Sequence, residues 1–374
     1  MTLIVYDRAL CISAFTLIVP VAASCGDSRA ANPAPTSRVA ARAQEPLVPT
    51  RCAVAPPAII DTVAAARADS SLAKQDSVRP KRVIKKKRSK RERWAMPAVH
   101  LALTQPATWP SPPAALPGSL FPGCRVVAYY GNPRSKRMGI MGEIRPDSMV
   151  ARLRLATAAF AKADTTMPAL PALELIAIVA QASGGKGELY RLRMPDTVIA
   201  QVAHLAESNR MLMIMDVQQG RSRVEDEVRS LLPWLAKPYM HLALDPEFAM
   251  AGSTKIPGKV IGTMDATEIN AVIAMLGALV DSLRLPPKML IIHRFRRPML
   301  TNASKIALDP RVQVVIDMDG FGPPKIKLDS YASYVRAEPV AFTGYKLFYK
   351  NDKPLMTPAE VLRIRPRPVF VMYQ

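Results

Sequence analysis

Two carboxylates stand two residues apart near the middle of the chain, in Leu244-Asp245-Pro246-Glu247, where an apolar run ends. Side chains two apart on a strand face the same way, so we expect Asp245 and Glu247 to share one surface, with α-carbons about 6.5 Å apart. Such a pair suits acid–base chemistry, because one carboxylate raises the pKa of the other by like-charge repulsion. It is the first candidate for a reactive site.

Other apolar runs of strand length also end in polar residues. Burying an unpaired carboxylate is costly, so several acidic strand ends favour a shared polar cleft. Each of these residues also has a structural alternative: an Asp caps a helix or starts a tight turn, and a His or Tyr packs in a core. The further candidates are Asp216, Gln218, Asp317, Asp319, His293 and Tyr130.

The chemistry that matches this set is glycoside cleavage, in which one carboxylic acid protonates the leaving oxygen and a second carboxylate stabilises or attacks the sugar. Glu247 is the predicted general acid/base, with Asp245 orienting it and raising its pKa. Asp216 or Asp319 is the predicted opposing carboxylate. The predicted substrate-binding residues are Tyr130, Gln218, His293 and Asp317.

Other reaction classes have less support in the sequence. The four histidines show no metal-ligand spacing, so no metal and no cofactor is expected. No Gly-x-Ser-x-Gly elbow is present for a serine nucleophile, and Gly131-Asn132-Pro133 is not a dinucleotide-binding fingerprint. Glu174 lies early in its apolar run and is interpreted as a structural acid that needs a partner.

Apolar runs that alternate with helical patterns must position these residues. Near-continuous apolar strands separated by helices predict a parallel sheet covered on both faces, and eight such units in about 250 residues predict an α/β fold, the (β/α)8 TIM-like barrel. An open doubly wound sheet is the alternative. The predicted strands are 125–130, 173–181, 211–218, 241–248, 259–263, 288–295, 312–319 and 340–348, and the predicted helices are 148–162, 196–207, 223–235, 266–283, 302–308, 325–334 and 358–362.

Residues 1–25 have the pattern of an export signal. A short apolar stretch is followed by Val21-Ala22-Ala23-Ser24-Cys25, which resembles a bacterial lipobox. That resemblance implies lipidation of Cys25 and attachment to the outer face of the cell membrane. A plain secretory signal and an uncleaved start are the alternatives.

Residues 26–121 are rich in Ala, Pro, Ser and charge, which predicts a disordered linker before a barrel domain at 122–374. Residues 79–93 hold ten Lys/Arg against one Glu, a large part of the net charge of +21. We expect this stretch to contact anionic lipid or a cell-wall polymer, or to be a solvated linker, rather than to bind nucleic acid. In an oxidising compartment, Cys52 and Cys124 either pair or remain free thiols.

Several short motifs resemble a family of uncharacterised exported bacterial proteins of actinomycete type, many of them lipoproteins. The resemblance covers residues 124–374 and implies an exported TIM barrel, with the chemistry left open. A looser similarity links Asp245-Pro246-Glu247 to chitinase-type glycosidases, but Ala243 replaces the first Asp of their Asp-x-Asp-x-Glu ending. The family motifs are Ala128-Tyr129-Tyr130-Gly131-Asn132-Pro133, Met138-Gly139-Ile140-Met141-Gly142, Ala243-Leu244-Asp245-Pro246-Glu247, His293-Arg294-Phe295, Asp319-Gly320-Phe321-Gly322 and Tyr345-Lys346-Leu347-Phe348-Tyr349.

Two functions are compatible with the sequence. One is a surface-tethered glycoside-hydrolase-like enzyme that acts on an envelope polysaccharide, and the other is a non-catalytic surface lipoprotein that binds glycan or protein. A second carboxylate within about 5 to 10 Å of Glu247 in an open groove favours the enzyme. A closed mouth with every acid paired to Arg or Lys favours the binding protein.

Overall fold

Eight parallel strands close into a barrel in the computed structural model, which describes residues 109–374. The order around the barrel is β1, β2, β4, β5, β7, β9, β10 and β11, and β1 pairs with both β2 and β11 to complete the ring. The predicted (β/α)8 architecture is confirmed. The barrel strands are β1 (Arg125–Gly131), β2 (Ala169–Ala180), β4 (Leu212–Val217), β5 (Met240–Leu244), β7 (Lys288–Arg294), β9 (Val312–Met318), β10 (Phe342–Leu347) and β11 (Phe370–Tyr373).

Three short strands lie outside the ring. β3 (Arg191–Arg193) pairs antiparallel with the end of β2, and β6 (Met264–Asp265) pairs with β8 (Leu300–Thr301). These strands belong to the loops that follow barrel strands, on the side where the barrel strands end.

The helices surround the barrel and bury one face each against it. For example, Ile269, Val272 and Leu276 of helix α5 (Ala266–Leu283) are fully buried in the hydrophobic core. By length and composition α5 is the one described helix that is apolar enough to cross a membrane. The helices are α1 (Ile140–Glu143), α2 (Pro146–Ala163), α3 (Asp196–Ser208), α4 (Val224–Leu235), α5 (Ala266–Leu283), α6 (Pro324–Ser330), which continues as a π-helical segment (Tyr331–Arg336), and α7 (Pro358–Val361).

The chain before β1 covers the end of the barrel where the strands begin. Gln313, the second residue of β9, accepts hydrogen bonds from the backbone N–H groups of Leu120 and Phe121 at 2.8 and 3.1 Å. Its amide donates to the Phe121 carbonyl at 2.7 Å. Both apolar side chains are buried, so this segment seals the end opposite the candidate site.

Three sequence predictions of elements were wrong. Residues 259–263 form no barrel strand; the eighth strand is β11, whose four residues follow a proline-rich stretch and gave too short an apolar signal. The helix predicted at 302–308 is reduced to a 3-10 turn at Ala303–Lys305. The strand predicted at 241–248 ends at Leu244.

Cys124 is fully buried and disulfide-bonded. The other three cysteines of the sequence lie outside the described residues. Pairing with Cys52 therefore stays a prediction. The leader, the lipobox with Cys25 and nearly all of the linker also lie outside the described residues.

Candidate functional site

Polar side chains from seven barrel strands meet inside the barrel near the ends of the strands. His293 Nε2 lies 2.8 Å from Glu174 Oε1, and these residues belong to β7 and β2, which are separated by two strands on the ring. A contact between such distant strands crosses the barrel interior. The interior cluster consists of Tyr130, Glu174, Asp216, Gln218, Asp245, His293, Asp317, Asp319 and Lys346.

One part of the cluster is organised by Tyr130. Its hydroxyl donates to Asp216 Oδ2 at 2.8 Å. The Gln218 amide Nε2 lies 3.3 Å from the Tyr130 hydroxyl and 3.4 Å from Asp245 Oδ2, while its Oε1 accepts from the Ala180 N–H at 3.2 Å. The two aspartates are thus connected through Tyr130 and Gln218.

The other part is organised by His293. Its Nε2 faces Glu174, while Nδ1 lies 3.3 Å from Asp317 Oδ2 and 3.7 Å from Asp319 Oδ2. Burial alone lowers the pKa of this imidazole, but Glu174 and the neighbouring aspartates more than reverse that effect and hold the pKa well above its usual value. His293 is thus held by Glu174 on one side of its ring and by Asp317 and Asp319 on the other.

Lys346 joins the two parts. Its Nζ lies 2.9 Å from Asp319 Oδ1 and 4.0 Å from the centre of the Tyr130 ring. Burial lowers the pKa of the ammonium, but the attraction of Asp319 raises it above its usual value overall. The lysine is therefore charged and stabilised by a carboxylate on one side and an aromatic face on the other.

Acidic groups outnumber basic ones in the cluster, with five carboxyl groups against His293 and Lys346. Burial raises the pKa of Asp216 to about 7, even though nearby His293 lowers it. Burial, Asp216 and Glu247 together raise the pKa of Asp245 well above its usual value. At least one carboxyl group therefore holds a proton near neutral pH, which is the property that a general acid requires.

Three buried carboxyl oxygens have no hydrogen-bond partner among the described residues: Glu174 Oε2, Asp216 Oδ1 and Asp317 Oδ1. Each belongs to a side chain that is fully buried. Buried polar atoms are nearly always satisfied, so three such oxygens in one cluster are a feature to explain.

Glu247 lies beyond the end of its strand, so the expectation that it shares a strand face with Asp245 is wrong. Pro246 cannot donate to a strand ladder and instead begins a 3-10 turn, Pro246–Phe248. Asp245 caps this turn by accepting the Glu247 N–H through Oδ1 at 3.2 Å. Asp245 is buried in the barrel, whereas Glu247 is half-buried at its mouth.

Access to the cluster is narrow. The side chain of Asp319 is 11% exposed, whereas Asp216, His293 and Asp317 are fully buried. At the same end of the barrel Phe321 is 48% exposed and packs edge-on to Phe348, with ring centres 5.8 Å apart. Among the candidate acids of this site, Asp319 and Glu247 are therefore the most exposed to solvent.

Sequence analysis identified most of the cluster, but it assigned Glu174 a structural role and left Lys346 out of the site. The partner that Glu174 needs is His293, and Glu174 lies opposite Tyr130 in the register of β1 and β2. A signal was available, because Glu174 and Lys346 are each the one charged residue in a long apolar run.

No family model matches the chain, and comparison with curated proteins gives no match. The functional argument therefore rests on the geometry of the site.

Proposed function

We propose that the chain is a surface-tethered glycoside hydrolase that cleaves an envelope polysaccharide at the mouth of its barrel. The observation that supports this most is the convergence of five carboxyl groups at the ends of the barrel strands, with a further acid, Glu247, at the rim. Active sites of TIM barrels occupy this end of the fold, and glycoside cleavage requires two carboxyl groups in different protonation states.

In this proposal Glu247 donates the proton to the leaving oxygen, since it is half-buried at the mouth and within reach of a polymer. Asp245 positions it through the hydrogen bond to the Glu247 N–H. Asp319 is the opposing carboxylate, and its orientation is fixed by both of its contacts with the Lys346 ammonium, at 2.9 and 3.1 Å.

The remaining residues of the cluster maintain this arrangement from within the barrel. Tyr130 and Gln218 connect Asp216 to Asp245, and Asp317 holds the ring of His293. The exposed Phe321 ring offers an apolar face on which a sugar ring stacks.

The proposed location follows from the sequence alone. A lipid on Cys25 would tether the protein outside the cell membrane, and the basic stretch at 79–93 would contact anionic lipid or wall polymer. Both segments lie outside the described residues.

One observation favours a second candidate, a non-catalytic protein that binds glycan or a protein partner. The cluster is almost closed to solvent, and the accessible acid Asp319 is paired with Lys346. A binding protein needs carboxylates only as hydrogen-bond acceptors, so neither feature would impair it.

Release of soluble sugar from isolated envelope polysaccharides tests the proposal. We expect the purified full chain to release glycan, and Glu247→Gln and Asp319→Asn to lose at least about 100-fold of that rate, because general acid–base catalysis contributes roughly 10²–10⁴-fold. The matched control is Glu207→Gln, an exposed acid on the helix end away from the mouth. Glycan binding without release by all four proteins would reject the hydrolase and leave the binding protein.

A further inference from the structure

We propose that Glu174, Asp216 and His293 form a binding site for one divalent transition-metal ion inside the barrel. Each offers one ligand atom, and these three atoms all lie within 4.8 Å of one another. All three side chains are fully buried. This inference goes beyond the hydrolase proposal and does not depend on it.

The first support comes from the unpartnered oxygens. Glu174 Oε2 and Asp216 Oδ1 have no hydrogen-bond partner among the described residues, although each carboxyl group has its other oxygen engaged, with His293 and Tyr130 respectively. Each carboxyl group thus has a buried oxygen that no described residue satisfies. Leaving a buried acceptor unsatisfied destabilises the folded state, more so when the acceptor is charged, and a metal ion would remove that cost.

The second support is the setting of His293. A histidine that binds a metal through one ring nitrogen usually donates its other N–H to a carboxylate, which fixes the ring. Asp317 Oδ2 lies 3.3 Å from Nδ1, and Nε2 is directed toward Glu174. Asp317 therefore fits the role of the outer carboxylate, with Nε2 as the ligand atom.

The third support is charge. Five carboxyl groups face two basic groups, His293 and Lys346, inside a barrel of apolar walls. A divalent cation would supply positive charge that these two groups do not. Lys346 is no substitute, because its ammonium is bound to Asp319.

The ligand set indicates the type of ion. One imidazole nitrogen with two carboxylates suits Zn²⁺, Mn²⁺ or Fe²⁺, whereas Ca²⁺ and Mg²⁺ prefer ligand sets made of oxygen alone. With bonds of about 2.1 Å, neighbouring ligand atoms around one tetrahedral ion are about 3.4 Å apart. The three ligand atoms, which lie within 4.8 Å of one another, would therefore draw closer around a bound ion.

This metal site was not predicted from the sequence, because its three residues lie far apart in the chain and show no local metal-ligand spacing. The three residues come from β2, β4 and β7, and barrel closure rather than a local motif brings them together.

The test measures metal content and stability, not activity. The full chain would be stripped with a chelator, dialysed against Zn²⁺, Mn²⁺ or Mg²⁺, and assayed by elemental mass spectrometry and thermal unfolding. We expect about one equivalent of Zn²⁺ or Mn²⁺, a higher Tm in its presence, and little retention of Mg²⁺, because an ion that binds only the folded state stabilises it.

The test variants are Glu174→Gln and Asp216→Asn, which keep the side-chain shape but remove the charge. We expect each to weaken metal binding at least about 10-fold and to lose the metal-dependent rise in Tm. The matched control is Glu188→Gln, an exposed acid in the loop after β2, which should bind metal like the native protein. Circular dichroism would identify a variant that does not fold.

Failure of the native protein to retain Zn²⁺ or Mn²⁺, or to gain stability from either ion, would overturn the site. Equal binding by folded Glu174→Gln and Asp216→Asn would do the same. Neither result bears on whether Glu247→Gln abolishes glycan release, so the two proposals fail separately.

Discussion

At the scale of single residues, this barrel tolerates buried charge in two different ways. In the cluster at the strand ends, charged groups are kept because opposite charges lie within hydrogen-bond distance, as for Lys346 and Asp319. At the opposite end, Lys288 is fully buried, and its Nζ donates to the backbone carbonyls of Lys237 and Met240 at 2.7 and 3.0 Å. A neutral amine can make both bonds, so Lys288 needs no counter-ion.

Lys288 therefore predicts a pH dependence of stability. Burial lowers its pKa to about 7 in the folded protein, whereas an unfolded lysine titrates at about 10.4. Between these values the unfolded chain binds more protons, so the contribution of Lys288 to the free energy of unfolding rises with pH, by up to about 1.4 kcal/mol per unit. Above about pH 10 the contribution is constant.

Urea unfolding at pH 7, 8 and 9 measures this effect. We expect the free energy of unfolding of the native protein to rise with pH relative to that of Lys288→Met. Lys305→Met removes a lysine that is exposed to water, so its free energy of unfolding should depend on pH in the same way as that of the native protein. A gap between native and Lys288→Met that does not change with pH would contradict the prediction.

At the scale of elements, the position at which each barrel strand ends decides which side chains enter the interior. β5 stops at Leu244, and the turn that follows sends Asp245 inward and leaves Glu247 at the rim. β10 places Gly344 opposite Asp317 of β9. A side chain at position 344 would enter the space of the cluster.

Gly344→Ala is therefore expected to destabilise the protein. An added Cβ would lie 2.5 Å from Asp317 Oδ1 and 3.0 Å from Phe370 Cδ1, so Asp317 or β11 would have to move. Overpacking of this kind typically costs about 1–3 kcal/mol. Urea unfolding measures the loss.

Gly320→Ala is the matched control, because its added Cβ would meet its nearest neighbour, Met318 Sδ, at 3.4 Å, an ordinary contact. We expect its stability to change by less than about 0.5 kcal/mol. If the two substitutions had equal effects, the close packing of Gly344 against Asp317 would not be important for stability.

At the scale of the whole molecule, the fold depends on closure of the ring by its last strand. β11 pairs with β1 on one side and β10 on the other, and Phe370, Val371 and Met372 are fully buried. Without it, two strand edges would lie open and the interior would be exposed to water.

Deleting residues 370–374 is expected to abolish cooperative unfolding, because the ring cannot close. Near-UV circular dichroism and urea titration would show loss of fixed tertiary packing and of the sigmoidal transition. Met372→Leu, which conserves volume, should keep both. A truncated chain with a native-like transition would show that seven strands suffice.

Several features of the fold could be predicted from the sequence because they depend on local patterns. Alternation of apolar strand runs with helical periods predicted a parallel barrel, and seven of its eight strands lie where those runs occur. The acidic ends at Asp216, Asp245 and Asp317 were visible because a charged residue after an apolar run is a local signal.

The tertiary structure decided what those local patterns could not. The placement of Glu247 depended on the turn begun by Pro246, and β11 was recognisable as a strand only by the two neighbours that it joins. The contact between His293 and Glu174 spans 119 positions of sequence. The sequence indicated most of the acidic residues near the strand ends, whereas the register and closure of the ring determined which of them meet, because contacts across a barrel are set by the geometry of all eight strands together.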